Sequence, residues 1–211
     1  MTEPPTIEAA INRSPQLLII AKGLSAHRGH RYYEELIASG VKHDVWTLND
    51  YACPGTTLHF EMHEHIRQVI GQDLTHRIPW STDTASLVLQ PTAATANPGN
   101  IPYPIDRIRS ALGCLREEVL TEDQEDAQEP FLYIGNTVAY MLALALVMGN
   151  YKEIRLYGVD FNPSNRNEST YERPGVEWLL GWAHSQYPGL VKTTWESYLY
   201  TTRGHERVLY E

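Results

Sequence analysis

Leu17-Leu-Ile-Ile-Ala-Lys-Gly-Leu-Ser25 opens with five apolar residues in a row and turns polar at Lys22-Gly23. A strand wetted on one face alternates apolar and polar side chains. An unbroken apolar run closed by a turn therefore predicts a strand covered on both faces, as in a parallel sheet held between helical layers. Ser25 to Ser39 follows with Tyr33, Leu36 and Ile37 at helical spacing and stops at Gly40, which predicts a helix. Asp44 to Leu48 is the next strand, ending in Asn49-Asp50.

The alternation continues outward. Thr57 to Met62 reads as a third strand, Glu64 to Ile70 as a short helix and Ser86 to Gln90 as a fourth strand. Residues 91–104 are rich in Pro, Thr, Ala and Asn without apolar periodicity, and read as a loop, a lid over the sheet edge. A helix over Ile105 to Leu120 and an acidic solvated turn over Glu122 to Glu129 come next, then a short strand over Phe131 to Ile134. Asn136 to Met148 is a helix apolar almost all round, closed by Gly149. It is too short to span a bilayer, so it belongs inside the protein against the sheet. Glu153 to Val159 is a strand ending in Asp160. Pro174 opens a helix over Gly175 to Gln186, and Leu190 to Thr193 is a last strand. The expectation is a single domain over 1–211 of Rossmann-like, doubly wound α/β type, with a mainly parallel sheet, helices on both faces and a flexible N-terminal segment over 1–15. The tail from Thr194 has no assignment.

Composition narrows the partners. The chain has 211 residues, 42% of them hydrophobic, and a formal net charge of −9 without a dense basic cluster. Duplex nucleic acid and anionic membrane surfaces both demand a positive face, so neither is an expected partner. Residues 1–15 lack the apolar core of a signal peptide, and no segment approaches the ~18 continuous apolar residues of a membrane span. The two cysteines, Cys53 and Cys114, lack metal or redox spacing and read as free thiols of a reducing, cytoplasmic compartment. Assembly into a homo-oligomer stays open.

In an open parallel sheet, ligands bind outside the carboxyl ends of the strands, which directs attention to what stands there. Lys22, Gly23 and Ser25 open a helix after the first strand, where backbone N–H groups and the helix dipole can hold a phosphate. A glycine turn with a serine cap is the plainer reading. Asn49 and Asp50 stand where a ribose or base is met in dinucleotide folds, or simply form a turn. Glu61, His63 and His65 alternate, with His59 two residues before, offering a general base beside a carboxylate or a metal-ligand pair; structural or surface histidines read equally well, and no spacing supplies a third metal ligand. Asn136 and Thr137 begin the apolar helix as ligand contacts or as its cap. Asp160 ends a strand, and Glu172 and Arg173 stand at the mouth of the expected cleft. There the guanidinium could clamp a phosphate or pair with Glu177.

Tyr133-Ile-Gly-Asn-Thr-Val-Ala-Tyr-Met-Leu-Ala-Leu-Ala-Leu-Val-Met-Gly149 with Tyr151-Lys-Glu-Ile-Arg-Leu-Tyr-Gly-Val-Asp-Phe161 resembles a block of the bacterial CMP-sialic acid-dependent sialyltransferases. The same block occurs in related Rossmann-like proteins, including pterin pyrophosphokinase-like and phage-encoded ones. Leu18 to Ser25 and Trp46 to Asp50 resemble that family's first-strand loop and second-strand Asn motif, and the likeness covers about half the chain in scattered blocks. The resemblance implies that Gly23 and Ser25 approach a nucleotide phosphate, Asn49 meets the nucleoside, and Asn136 and Thr137 border the same pocket. The chain departs from the family where a richer Gly-Asn-Gly-Pro-Ser loop would stand, and 91–103 contains no histidine where the family places its catalytic one.

These readings converge on a transferase, glycosyltransferase-like, that takes a nucleotide or nucleotide-sugar donor without a firm cofactor. His63 or Glu61 is the expected base, Tyr103 steadies the leaving phosphate, and Lys22 and Arg173 hold it. Two other classes stay open. One is nucleotide processing by pyrophosphoryl transfer or hydrolysis, as in a phage pathway that modifies DNA bases within the host cytoplasm, with Glu61, Asp160 and Glu172 holding Mg²⁺ or activating water. The other is a non-catalytic module that sequesters a small anionic nucleotide-like ligand.

Overall fold

The computed structural model describes residues 6–11, 14–49, 51, 53, 55–62, 86–89, 100–112, 136–161, 172–194, 197, 199, 201–202 and 206–207. Among the described residues, seven strands build the main sheet: β1 Gln16–Ile20, β2 Asp44–Leu48, β3 Leu58–Glu61, β4 Ser86–Leu89, β5 Ile101–Pro102, β6 Glu153–Tyr157 and β7 Val191–Thr193. Their order is β5-β4-β3-β2-β1-β6-β7, with every neighbouring pair parallel. The helices among the described residues are α1 Ile7–Ala10, α2 Ala26–Ser39, α3 Ile105–Leu112, α4 Thr137–Met148 and α5 Arg173–Gln186. A two-stranded antiparallel pair, β8 Thr201–Thr202 and β9 Glu206–Arg207, lies in the segment that the sequence left unassigned.

The apolar run of β1 works as its pattern requires. Leu17 and Ile19 enter the larger core with Trp46, Leu58, Phe60 and the buried face of α4, while Leu18 and Ile20 enter a second cluster with Val45, Leu36 and Tyr157 under α2. Helices therefore cover both faces, and the fold is a doubly wound, Rossmann-like α/β sheet. Among the residues of α4 only Tyr140 and Val147 are part-exposed. The apolar circumference of this helix is thereby matched on one side by the sheet and on the others by its neighbouring helices. No helix among the described residues is long and apolar enough to cross a membrane.

Strand and helix ends follow the punctuation of the sequence. Gly40 and Gly149 close α2 and α4 in the left-handed conformation, at φ 69° and 64°, where a Cβ would add strain. Pro174 sits in the first turn of α5, where its missing N–H costs no helical bond.

Two expectations change. The N-terminal segment is no loose tail over its described residues. Thr6 caps α1 by accepting the Ala9 N–H at 3.3 Å, and Ile7 and Ile11 are buried in the larger core. Beyond α1, the Ser14 N–H donates to the buried Asp44 carboxylate at 3.4 Å. Isolated apolar residues in a Pro-containing stretch gave no periodic signal, yet they fill the end of the core. The stretch 91–104 is also not loop throughout, because β5 pairs with β4 and buries Ile101 and Tyr103. The expected helix over 64–70, the acidic turn over 122–129 and the strand over 131–134 lie outside the described residues.

Candidate functional site

All strands of the main sheet run the same way, so the carboxyl ends of β1, β2, β3 and β6 share one edge. The chain reverses its order of addition between β1 and β6, the place where such sheets usually leave a crevice. Here the chain itself closes it. Ser25 is fully buried, and both of its donors turn to Asp160: the N–H reaches Oδ2 at 2.8 Å and the hydroxyl reaches Oδ1 at 2.5 Å. The Gly158 N–H donates to the Ser25 Oγ at 2.7 Å, and the Gly23 N–H donates to the Gly158 carbonyl at 2.9 Å. A Cβ on Gly23 would lie 2.5 Å from the Gly158 oxygen and 2.6 Å from Asp160 Oδ2.

The resemblance had placed Gly23 and Ser25 against a nucleotide phosphate; in this structure their donors are engaged within the protein. The donors that would face a phosphate are taken by an internal carboxylate, itself an anion near the positive end of α2. Ser25 does not cap the helix with its side chain either. Gly23 is required by close packing of two loops. Lys22 is exposed beside them on the same edge.

The adjoining part of the edge is built differently. Asn49 follows β2 in the left-handed conformation, φ 54°, which an Asn tolerates better than most residues. Three bonds hold it there. Its N–H donates to the Phe60 carbonyl at 2.8 Å, and its own carbonyl accepts from His59 Nε2 at 2.8 Å. Its Oδ1 accepts the Thr137 hydroxyl at 3.2 Å. A carbonyl only accepts, so His59 Nε2 carries a proton, and Nδ1 in that tautomer accepts from the Thr47 hydroxyl 2.9 Å away. His59 is thus a buried strut that sets the backbone of Asn49.

Thr137 belongs to α4, whose start is organised by Asn136. Asn136 Oδ1 accepts the Ala139 N–H at 2.9 Å, the capping role its sequence suggested, and Nδ2 donates to the Glu172 carbonyl at 2.7 Å. That second bond draws the N-terminus of α5 beside that of α4. Helix geometry leaves the Thr137 and Val138 N–H groups without acceptors inside α4. Arg173, the first residue of α5, pairs with Glu177 at 3.2 Å one turn on, which is the ion pair the sequence offered as the plainer reading. Asn49, Asn136, Thr137, Glu172 and Arg173 are therefore linked across three elements. A part-exposed asparagine amide and two helix starts linked in this way, with the Arg173 guanidinium on one of them, suit a small anion better than a cation.

The remaining expected residues separate. Glu61 ends β3, partly exposed, two residues beyond His59 on the same side of the strand. His63 and Asp50 lie outside the described residues. Tyr103 is corrected: it is 1% exposed, and its hydroxyl donates to the Tyr140 carbonyl of α4 at 2.9 Å, with the rings edge to face at 5.0 Å. It is a core residue whose hydroxyl is satisfied inside the protein. The trio of Glu61, Asp160 and Glu172 does not form one cation site. β3 and β6 are separated by two strands, so their ends stand about 14 Å apart at ~4.8 Å per strand. No group of three or more His, Cys, Asp or Glu side chains placed to hold a metal ion occurs among the described residues.

One pair went unnoticed in the sequence. His30 of α2 and Tyr51, three residues past β2, are hydrogen bonded through Nε2 and the phenolic hydroxyl, with ring centroids 5.8 Å apart. Burial, then the neighbouring Cys53, pushes the Tyr51 hydroxyl up to about 12, so it stays protonated at neutral pH. Residues separated by 21 positions and by a strand carry no periodic or motif signal that would join them.

No protein-family model and no curated protein matches the chain. Among solved structures, the chain is similar to the sialyltransferase CstII from Campylobacter jejuni, solved in complex with the substrate analogue CMP-3FNeuAc. The identity is 13% and the TM-score 0.49, over 84% of this chain and 79% of that one.

Proposed function

We propose that the protein is a nucleotide-dependent transferase of the glycosyltransferase-like kind. Its nucleotide-sugar donor lies along the edge formed by Asn49, Asn136, Thr137 and Arg173. The observation that carries the reading is Asn49 itself: a non-glycine residue held at φ 54° by three hydrogen bonds, at the end of a central strand. Strained backbone persists where its surroundings over-determine it, and such positions cluster at ligand clamps. With Oδ1 fixed by Thr137, the Asn49 amide Nδ2 is the donor left for a ribose or base. Arg173 and the starts of α4 and α5 supply positive potential for the phosphates. The sequence blocks at Trp46 to Asp50 and Tyr133 to Phe161 support the same reading.

The test is direct. Calorimetry with a panel of CMP-, UDP- and GDP-sugars should find one nucleotide that binds in the micromolar range and is slowly hydrolysed when no acceptor is present. Neither binding nor hydrolysis across the panel removes the proposal.

A further inference from the structure

The turn Leu48 to Tyr51 has an unusual reach. The Tyr51 N–H donates to the Leu48 carbonyl at 3.0 Å, closing the turn over the end of β2. From it Asn49 bonds Thr137 of α4 on one face of the sheet, and Tyr51 bonds His30 of α2 on the other. His30 and Tyr51 are each partly exposed. The two therefore stand beside the Asn49 site on the same carboxyl edge, open to solvent and already joined in a hydrogen bond.

We propose that His30 and Tyr51 are the proton-transfer pair of this edge, a role that rests on the transferase reading above. The acceptor is a hydroxyl compound or water. As its oxygen bonds to the anomeric carbon of the donor, the bond from that carbon to the phosphate oxygen breaks, and the electron pair leaves with the nucleotide. The hydroxyl proton passes to the Tyr51 oxygen while the Tyr51 proton passes to His30 Nε2, and His30 later releases it to solvent. Charge and atoms balance without a metal or a further reactant. The protonated state of Tyr51 suits this task, because the phenol relays a proton that it never has to lose outright. Among the described residues, Cys53, whose thiol burial pushes up, and Tyr33, which packs over Gly55, belong to the same cluster as Tyr51.

The experiment uses the full chain with the nucleotide-sugar that the panel identifies, and compares wild type, His30→Gln and Tyr51→Phe in binding, turnover and melting. Binding should stay within about threefold in both variants while turnover falls by about 10² to 10⁴, the range typical of general acid–base groups. Glu61→Gln is the comparison, and a fall confined to that variant overturns the pair. Variants that bind and turn over as wild type does, with only a lower melting temperature, reduce the contact to a structural stitch and overturn the inference alone. Wild-type protein that binds no nucleotide-sugar, or binds one without turnover, overturns the inference together with the transferase reading.

Discussion

Asp160 grips Ser25 with both carboxylate oxygens, at 2.8 Å to the N–H and 2.5 Å to the hydroxyl, across 135 positions of sequence. The contact sits where β1 and β6 diverge, so it fastens the first loop of the sheet to the sixth strand. Because Ser25 is buried, loss of the carboxylate strands two donors. Asp160→Ala should lower stability by about 1–3 kcal/mol, read as a shifted urea midpoint at unchanged slope. It should leave nucleotide affinity within about threefold. A tenfold loss of affinity at unchanged stability would instead make Asp160 a ligand contact.

Gly158 makes the same junction possible. Its φ is 67°, and a Cβ there would lie 2.2 Å from the Ala21 carbonyl oxygen and 2.6 Å from its carbon, backbone atoms that have nowhere to go. Gly158→Ala should cost at least about 2 kcal/mol, the left-handed penalty plus forced separation of the loops after β1 and β6. Gly149→Ala is the control. It has a similar φ of 64° with open space around the Cβ, so it should lose only about 1 kcal/mol, and equal losses in the two variants would contradict the crowding.

Asn49 can be separated into backbone and side chain. Asn49→Gly keeps the left-handed turn without strain and removes the amide, so thermal stability should stay within about 1 kcal/mol while nucleotide affinity falls about tenfold, or ~1.4 kcal/mol. Asn49→Ala should lose both affinity and stability, since an alanine tolerates φ 54° poorly. Unchanged affinity in Asn49→Gly would move the ligand away from this turn.

The fold was legible because its signals are local. Leu17 to Ala21 gave the central strand, Gly40 and Gly149 the helix stops, and the apolar circumference of 136–148 its buried place. The site was legible only where a residue bonds near its own position, as Asn136 does to Ala139. Ser25 with Asp160, Thr137 with Asn49, and His30 with Tyr51 are fixed by the order of strands in the sheet, which no short window of sequence encodes. Tyr103 misled for the same reason. A tyrosine beside a loop reads as a cleft residue until β5 pairs with β4 and folds it under α4.

Four described tyrosines are held protonated above their usual range, Tyr51 and Tyr151 most strongly, and these two dominate the response to alkali. Burial, then Cys53, raises Tyr51 from 10.0 to about 12. Burial, then the charge and hydrogen bond of the fully buried Asp44, raises Tyr151 further still. In each case the folded state keeps a proton that the unfolded chain releases above pH 10. The unfolded state then binds fewer protons, so stability is fully present below about pH 10 and falls as pH rises toward 12. Cys53, pushed up from 9.0 by burial, starts the fall about a unit earlier. Urea titrations at pH 8, 10 and 11.5 should show the midpoint level over the first step apart from the share of Cys53, then dropping over the second. Tyr51→Phe should flatten part of the second step and Cys53→Ala the first, because each removes one group from the balance. Wild type and Tyr51→Phe losing the same midpoint between pH 10 and 11.5 would show that Tyr51 ionises as freely in the folded protein as in the unfolded chain.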